Sequence, residues 1–323
     1  MGSRRDFVRA GVLTAGAVAV GGLGLRGAEA SGLRVTQHKW LSHRLLDLTV
    51  YSPAMGRTVH NRLLVPPGWS ATAKRTWPVL YLFHGGNDTY VSWTRSTDIE
   101  KFTANKDVLV VMPEGGLGGG YTDWWFGGKG GSPRWETYHL TELSGLLEQH
   151  YRASRTRAVV GLSAGGYGSL IYTARHPGFF KFTAAFSPFA STLMPGVPES
   201  MITELAFKGF NAFDMWGNPW SEQGVWKDHD PITRAPALRG TPLYVSCGIT
   251  GLGGPFDPKG TGYGVGTTLE ELAFYTVDGF LKRLDNLKIP VTRHLYSLGT
   301  HSWPYWQREF HTSWPLVAKA LGV

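Results

Sequence analysis

The chain has 323 residues, 42% of them hydrophobic and 13% aromatic, with a formal charge of +8; a chain of this length and apolarity builds a sizeable core without disulfides or metals. Its single cysteine, Cys247, excludes an intramolecular disulfide, and a positive charge spread without any basic run gives nucleic-acid binding no footing. The 43 glycines and 13 tryptophans point to long aromatic-lined loops rather than disorder, and no linker or internal repeat argues for a second domain.

Residues 1–30 read as a targeting segment ahead of a single domain spanning 31–323. Ser3-Arg4-Arg5-Asp6-Phe7-Val8 has the form of a twin-arginine export motif. An Ala/Gly/Val/Leu stretch follows from about Ala10 to Leu25, and Ala28-Glu29-Ala30 has the small-x-small form of a cleavage site. The stretch is weakly apolar and shorter than a spanning helix needs, so cleavage is favoured over a permanent anchor. Removing residues 1–30 takes away four arginines and two acids and leaves +6, a modest excess that favours peripheral association with an anionic cell envelope. The expectation is a protein secreted already folded.

In chain order, Leu45–Tyr51 and Thr58–Val65 read as two strands, the second stopped by Pro66-Pro67-Gly68, forming an antiparallel hairpin at a sheet edge. Pro78–Phe83 is a nearly continuous apolar run, as in a strand buried on both faces, and it ends in His84-Gly85-Gly86-Asn87. A short helix around Thr97–Asn105 precedes a second buried strand, Val108–Met112. A glycine-rich loop over 113–134 carries Tyr121, Trp124, Trp125 and Phe126, and a helix over Trp135–Tyr151 follows.

Next come a strand ending at Val160, a small-residue helix over Ala164–His176, and a strand over Thr183–Phe186. The segment 188–240, with Trp216, Trp220 and Trp226, reads as helical pieces inserted over the sheet edge or the site. Strand Leu243–Ser246, a long loop 248–266, a helix from about Thr268 to Leu287, strand Val291–Tyr296 and a final helix from about Trp303 complete the chain. Strands alternating with helices predict an α/β fold, a mainly parallel sheet with right-handed crossovers of the α/β-hydrolase type. Cys247, at the end of an apolar strand, reads as a buried inert thiol.

Gly161-Leu162-Ser163-Ala164-Gly165 matches the G-x-S-x-G nucleophile elbow in its required setting of strand, sharp turn and helix. A bare Gly/Ser turn would match the five letters as well; the strand before and the helix after are what favour the elbow. The serine sits at a strained turn, the flanking glycines let backbone pass without a Cβ clash, and the following helix aims its positive end at a forming oxyanion.

In such folds the acid and the histidine follow the nucleophile in that order. His301, in Gly299-Thr300-His301-Ser302-Trp303, lies on a loop after the last strand and is the candidate base, ahead of His294 inside a strand. The candidate acids are Asp257, Glu270, Glu271, Asp278 and Asp285. The helix from 268 buries Leu269, Leu272, Ala273, Thr276, Val277, Phe280 and Leu284, and Glu270 borders that stripe while Glu271 and Asp278 fall opposite. A triad acid must be shielded, which selects Glu270, although a glutamate complementing the helix N-terminus would explain Glu270 and Glu271 equally. The oxyanion donors expected are the N–H of Ala164 and, from the loop after the third strand, that of Gly86. No metal or cofactor is implied.

These stretches resemble the esterase D family, and within it the branch of the mycobacterial antigen 85 mycolyltransferases. The resemblance rests on Gly161–Gly165, Thr122-Asp123-Trp124, Trp135-Glu136-Thr137, Asp214-Met215-Trp216-Gly217 and Gly299–Trp306, which span almost the whole mature chain. It implies a Ser–Glu–His triad working through an acyl-enzyme, Gly86 and Ala164 as oxyanion donors, and Trp303 near the acceptor pocket. Asp278 matches the family glutamate nearly as well as Glu270. The family's acid and arginine in the oxyanion loop, which contact trehalose, are absent from His84-Gly85-Gly86-Asn87, which argues against trehalose mycolylation. The expected function is a secreted serine carboxylesterase or acyltransferase for acyl esters, with Trp124, Trp125 and Trp303 lining the pocket. An alcohol, sugar or glycerol acceptor would serve the transferase case. A non-catalytic envelope-binding protein on the same scaffold is the alternative.

Overall fold

Side-chain alternation along the buried strands divides the core into two layers on either face of one sheet. The computed structural model describes residues 32–323; the targeting segment read at 1–30 lies outside the described residues. The strands are β1 (Arg34–Trp40), β2 (Leu45–Ser52), β3 (Arg57–Leu64), β4 (Trp77–Phe83), β5 (Leu109–Pro113), β6 (Ala153–Leu162), β7 (Phe182–Phe186), β8 (Leu243–Gly248) and β9 (Thr292–Tyr296). Their order across the sheet is 1-2-3-5-4-6-7-8-9. β1, β2, β3 and β5 pair antiparallel in turn, and from β5 to β9 every pairing is parallel. This is an α/β-hydrolase fold.

The period of two fixes which residues go where. Val79, Tyr81 and Phe83 of β4 join Val111 and Val159 in one layer, under Trp135, Tyr138 and Tyr172. Leu80 and Leu82 join Val110, Val160 and Phe186 in the other, under Trp93, Trp306 and Phe310. Four long helices cover these faces: α1 (Ala164–Arg175), α2 (Val197–Phe207), α3 (Val265–Asn286) and α4 (Trp303–Leu321). α3 and α1 cover β7 and β8 through Phe280, Val277, Leu170 and Ala174. The helix expected over 135–151 is three pieces, Trp135–Thr137, a π turn Tyr138–Leu143, and Ser144–His150.

Two expectations about elements change. The hairpin of β2 and β3 is not at the edge, because β1 pairs outside β2. β1 is polar and solvated along almost its whole length, so it carries no hydrophobic alternation to betray it. The helix near residue 100 is two short ones, Ser92–Ser96 and Ile99–Phe102.

One buried ion cluster ties α1 to the rest. Glu136 accepts from Arg175 Nε at 3.0 Å and His176 Nε2 at 2.5 Å, and Arg175 also pairs with Asp228. Burial pushes the Glu136 carboxyl up, but His176 and Arg175 outweigh it and hold the group below its ordinary range. Arg175→Met is expected to cost about 3 kcal/mol in urea unfolding, because a buried carboxylate loses its main partner. A carboxyl with a lowered folded pKa stabilises above its unfolded pKa, so the loss is full above about pH 5 and shrinks as acid protonates Glu136.

Candidate active site

The parallel strands end along one edge, and the segments leaving β4, β6, β7, β8 and β9 meet there. Ser163 follows β6 directly at φ 54°, ψ −124°, in a region that costs an L-residue roughly 1–3 kcal/mol and persists only where the surroundings enforce it. Enforcement is visible on both sides. The Ser163 N–H donates to the Phe186 carbonyl at 2.8 Å, and its own carbonyl accepts from Tyr167 N at 3.0 Å, starting α1. A Cβ at residue 161 would lie 2.1 Å from the Gly165 carbonyl oxygen, and one at 165 would lie 2.5 Å from the His84 carbonyl oxygen. Only glycine lets the turn close this tightly.

Glu270 projects from α3 into the space between β7, β8 and β9, and its side chain is fully buried. Its Oε2 lies 2.7 Å from His301 Nδ1. Its Oε1 accepts from Gly248 N at 2.6 Å, Ser187 Oγ at 2.8 Å and the Tyr296 hydroxyl at 3.3 Å. A buried carboxylate needs such partners, and here both oxygens have them. The Cys247 thiol, 3.5 Å away, is pushed up by burial and then by the Glu270 charge; it is buried and unpaired.

With Nδ1 facing the carboxylate, the His301 proton belongs on Nδ1, leaving Nε2 as an acceptor. That Nε2 is buried and has no hydrogen-bond partner among the described residues, so no bond to Ser163 Oγ is formed in this structure. The ring is held between Trp306 and Phe189, at centroid distances of 5.0 and 6.1 Å. Its backbone N–H donates to Gly266 at 3.1 Å.

The other acids face elsewhere. Glu271 accepts from the exposed Tyr263 hydroxyl, Asp278 pairs with Lys282 at 2.6 Å, and Asp285 pairs with Arg293 at 2.6 Å. His294 is bound to Glu309 at 2.9 Å. Asp257 accepts from Thr300 Oγ1 at 2.5 Å and the Tyr305 hydroxyl at 2.6 Å, and so braces the loop that carries His301. Sequence reasoning missed Ser187, Tyr296 and this bracing role of Asp257. Their only local signal is position, one at the end of β7, one at the end of β9 and one in the loop after β8.

On the opposite side of Ser163, His84 shapes the loop after β4. Its Nε2 accepts from Gly115 N at 2.8 Å, which puts its proton on Nδ1, donated to the Gly85 carbonyl at 2.7 Å. The Tyr121 hydroxyl holds the His84 carbonyl at 2.8 Å. Gly86 and Ala164 face one another, since a Cβ on Gly86 would stand 3.6 Å from that of Ala164. Both border a largely apolar cavity of about 310 Å³ that also meets Ser163, Tyr167, Leu205 and Trp216.

Trp124 and Trp303 are placed away from this cavity. Trp124 lies buried behind the glycine-rich loop, donating to the Gly119 carbonyl at 3.2 Å and packing on Phe210. Trp303 packs edge-on against Trp93 and Trp306 at the start of α4. Trp216, from the insertion between β7 and β8, is the tryptophan that reaches the cavity. Among the described residues no three His, Cys, Asp or Glu side chains gather as a metal ion would need, and no helix is long and apolar enough to cross a membrane.

The family model described as "Putative esterase" matches residues 52–315. The diacylglycerol acyltransferase/mycolyltransferase Ag85B of Mycolicibacterium smegmatis is 29% identical over 289 residues, covering 85% of each chain. Esterase Rv1288 of Mycobacterium tuberculosis is 34% identical over 250 residues, 74% of this chain and 53% of that protein. Among solved structures, Mycobacterium tuberculosis MPT51 superposes with a TM-score of 0.69 at 24% identity, over 88% of this chain and 99% of that one.

Proposed function

This chain belongs to the esterase family and is a serine ester hydrolase or acyltransferase; from that premise we propose that Ser163, His301 and Glu270 form its catalytic triad and that it works outside the cell. The observation that carries this reading is the pairing of buried Glu270 with His301 Nδ1 at 2.7 Å, which leaves Nε2 free on the sheet edge that presents Ser163.

Ser163 Oγ attacks the ester carbonyl as His301 Nε2 takes its proton. The carbonyl oxygen becomes an oxyanion between the Gly86 and Ala164 N–H groups, and α1 adds the positive end of its dipole. Glu270 stabilises the imidazolium, which then protonates the departing alcohol oxygen. Water, or a second alcohol, attacks the acyl-enzyme by the same route in reverse and frees Ser163. The choice between water and alcohol decides hydrolase or transferase. Kinship to Ag85B supports the transferase outcome and kinship to Rv1288 the hydrolase one. The twin-arginine form of residues 3–8 and the Ala28-Glu29-Ala30 site support export.

Excess p-nitrophenyl butyrate is expected to give a p-nitrophenol burst equal to the enzyme present, and a fluorophosphonate is expected to label the Ser163 peptide. Protein recovered from the medium is expected to begin at Ser31. A folded protein with neither turnover nor label would move the reading to the non-catalytic envelope-binding alternative; an unprocessed N terminus would remove export.

A further inference from the structure

We propose that the cavity beside Ser163 is an acyl pocket closed at medium length, selecting esters of straight-chain acids of about eight to ten carbons. The inference rests on Ser163 being the nucleophile and His301 the proton carrier. In an ester held for attack, three directions are assigned by chemistry. The carbonyl oxygen points to the oxyanion donors, the leaving oxygen must be reached by the imidazole that protonates it, and the acyl chain takes what remains. Gly86, Ala164 and Ser163 stand on the cavity wall and His301 does not. The alcohol portion therefore lies outside the cavity, on the His301 side, and the acyl chain inside.

The walls agree with an aliphatic guest. Beyond the catalytic end they include Tyr167, Met201, Leu205, Met215 and Trp216, with the hydroxyl residues Ser191, Thr192 and Ser200 between them. The two charged side chains that reach the wall, Glu204 and Lys208, neutralise one another at 2.6 Å beside the Gly86 carbonyl. The wall at Trp216 is rigid, because that side chain is wholly buried and is held at 5.2 Å by Trp226 and at 4.9 Å by His229. A methylene occupies roughly the 30 Å³ share of a water molecule, so 310 Å³ holds about ten such groups. A very long branched acid exceeds that volume.

The test is kcat/KM for p-nitrophenyl esters from acetate to palmitate, below their micellar concentrations. Each added methylene is expected to raise kcat/KM about 3- to 4-fold to a maximum at about eight to ten carbons, with a fall of at least tenfold by palmitate. Met201→Trp, at a half-buried position on α2, is expected to move the maximum to about four carbons, and Leu205→Ala to lengthen it. A flat profile, a maximum at acetate, or a rise that continues through palmitate overturns the proposal, and the wild-type profile decides this even if a variant fails to fold. If butyrate gives a burst and a Ser163 label but the profile is flat, the pocket assignment alone is wrong. If no ester is turned over and nothing is labelled, the nucleophile assignment falls first and takes the pocket with it.

Discussion

Ser163→Ala is expected to lower kcat for p-nitrophenyl butyrate by about 10⁶-fold, the loss that follows removal of a triad serine when the rest of a site is left intact, and to leave the melting curve in place. The second half of that expectation follows from the turn. Alanine keeps the Cβ that the φ of 54° already accommodates, and the backbone bonds to Phe186 and Tyr167 do not involve Oγ. Stability should therefore change by no more than about 0.5 kcal/mol. Activity retained above a hundredth of wild type, in protein shown by mass to carry the substitution, would exclude Ser163 as the nucleophile.

Glu270→Gln is the second large effect, about 10⁴-fold in kcat, and its cause is the position of one proton. Three donors converge on Oε1, from Gly248, Ser187 and Tyr296. A glutamine satisfies them only by placing its carbonyl oxygen there, which turns its NH₂ toward His301 Nδ1. Nδ1 must then become the acceptor and Nε2 must carry the hydrogen, so the imidazole presents a proton to Ser163 where it should take one. The variant folds because every donor keeps its acceptor, and circular dichroism should match wild type. Glu271→Gln and Asp278→Asn, which face outward, change kcat less than twofold. If Asp278→Asn were the damaging change instead, the acid would be misassigned.

The parts of this site that can be read from sequence are those fixed by local rules. Glycine at 161 is demanded by the Gly165 carbonyl four residues on, and glycine at 165 by the adjoining end of β4, so the elbow announces itself. His301 follows from chain order. Glu270 could be placed only at the margin of an amphipathic stripe, since helical periodicity gives an angle and not a partner. Its full burial depends on Gly248, Ser187 and Tyr296, which lie at the ends of three strands.

The tryptophans show the limit. Trp124, Trp216 and Trp303 are alike in composition, yet two pack into the protein and one walls the cavity, a difference decided by how the insertion between β7 and β8 folds back over the sheet. β1 was invisible for the opposite reason. A strand that buries almost nothing leaves no hydrophobic period to detect.

That solvated outer strand has a consequence for how copies of the molecule meet. An open sheet has two unpaired margins, each a template on which another chain can add hydrogen bonds. Here the outer margin, β1, carries Arg34 and Lys39. Joining two molecules through their β1 margins sets cation near cation, which is unfavourable for opposed strands. The same residues that hide β1 from a pattern search thus keep concentrated solutions from building ribbons, and this protection weakens as added salt screens the charges.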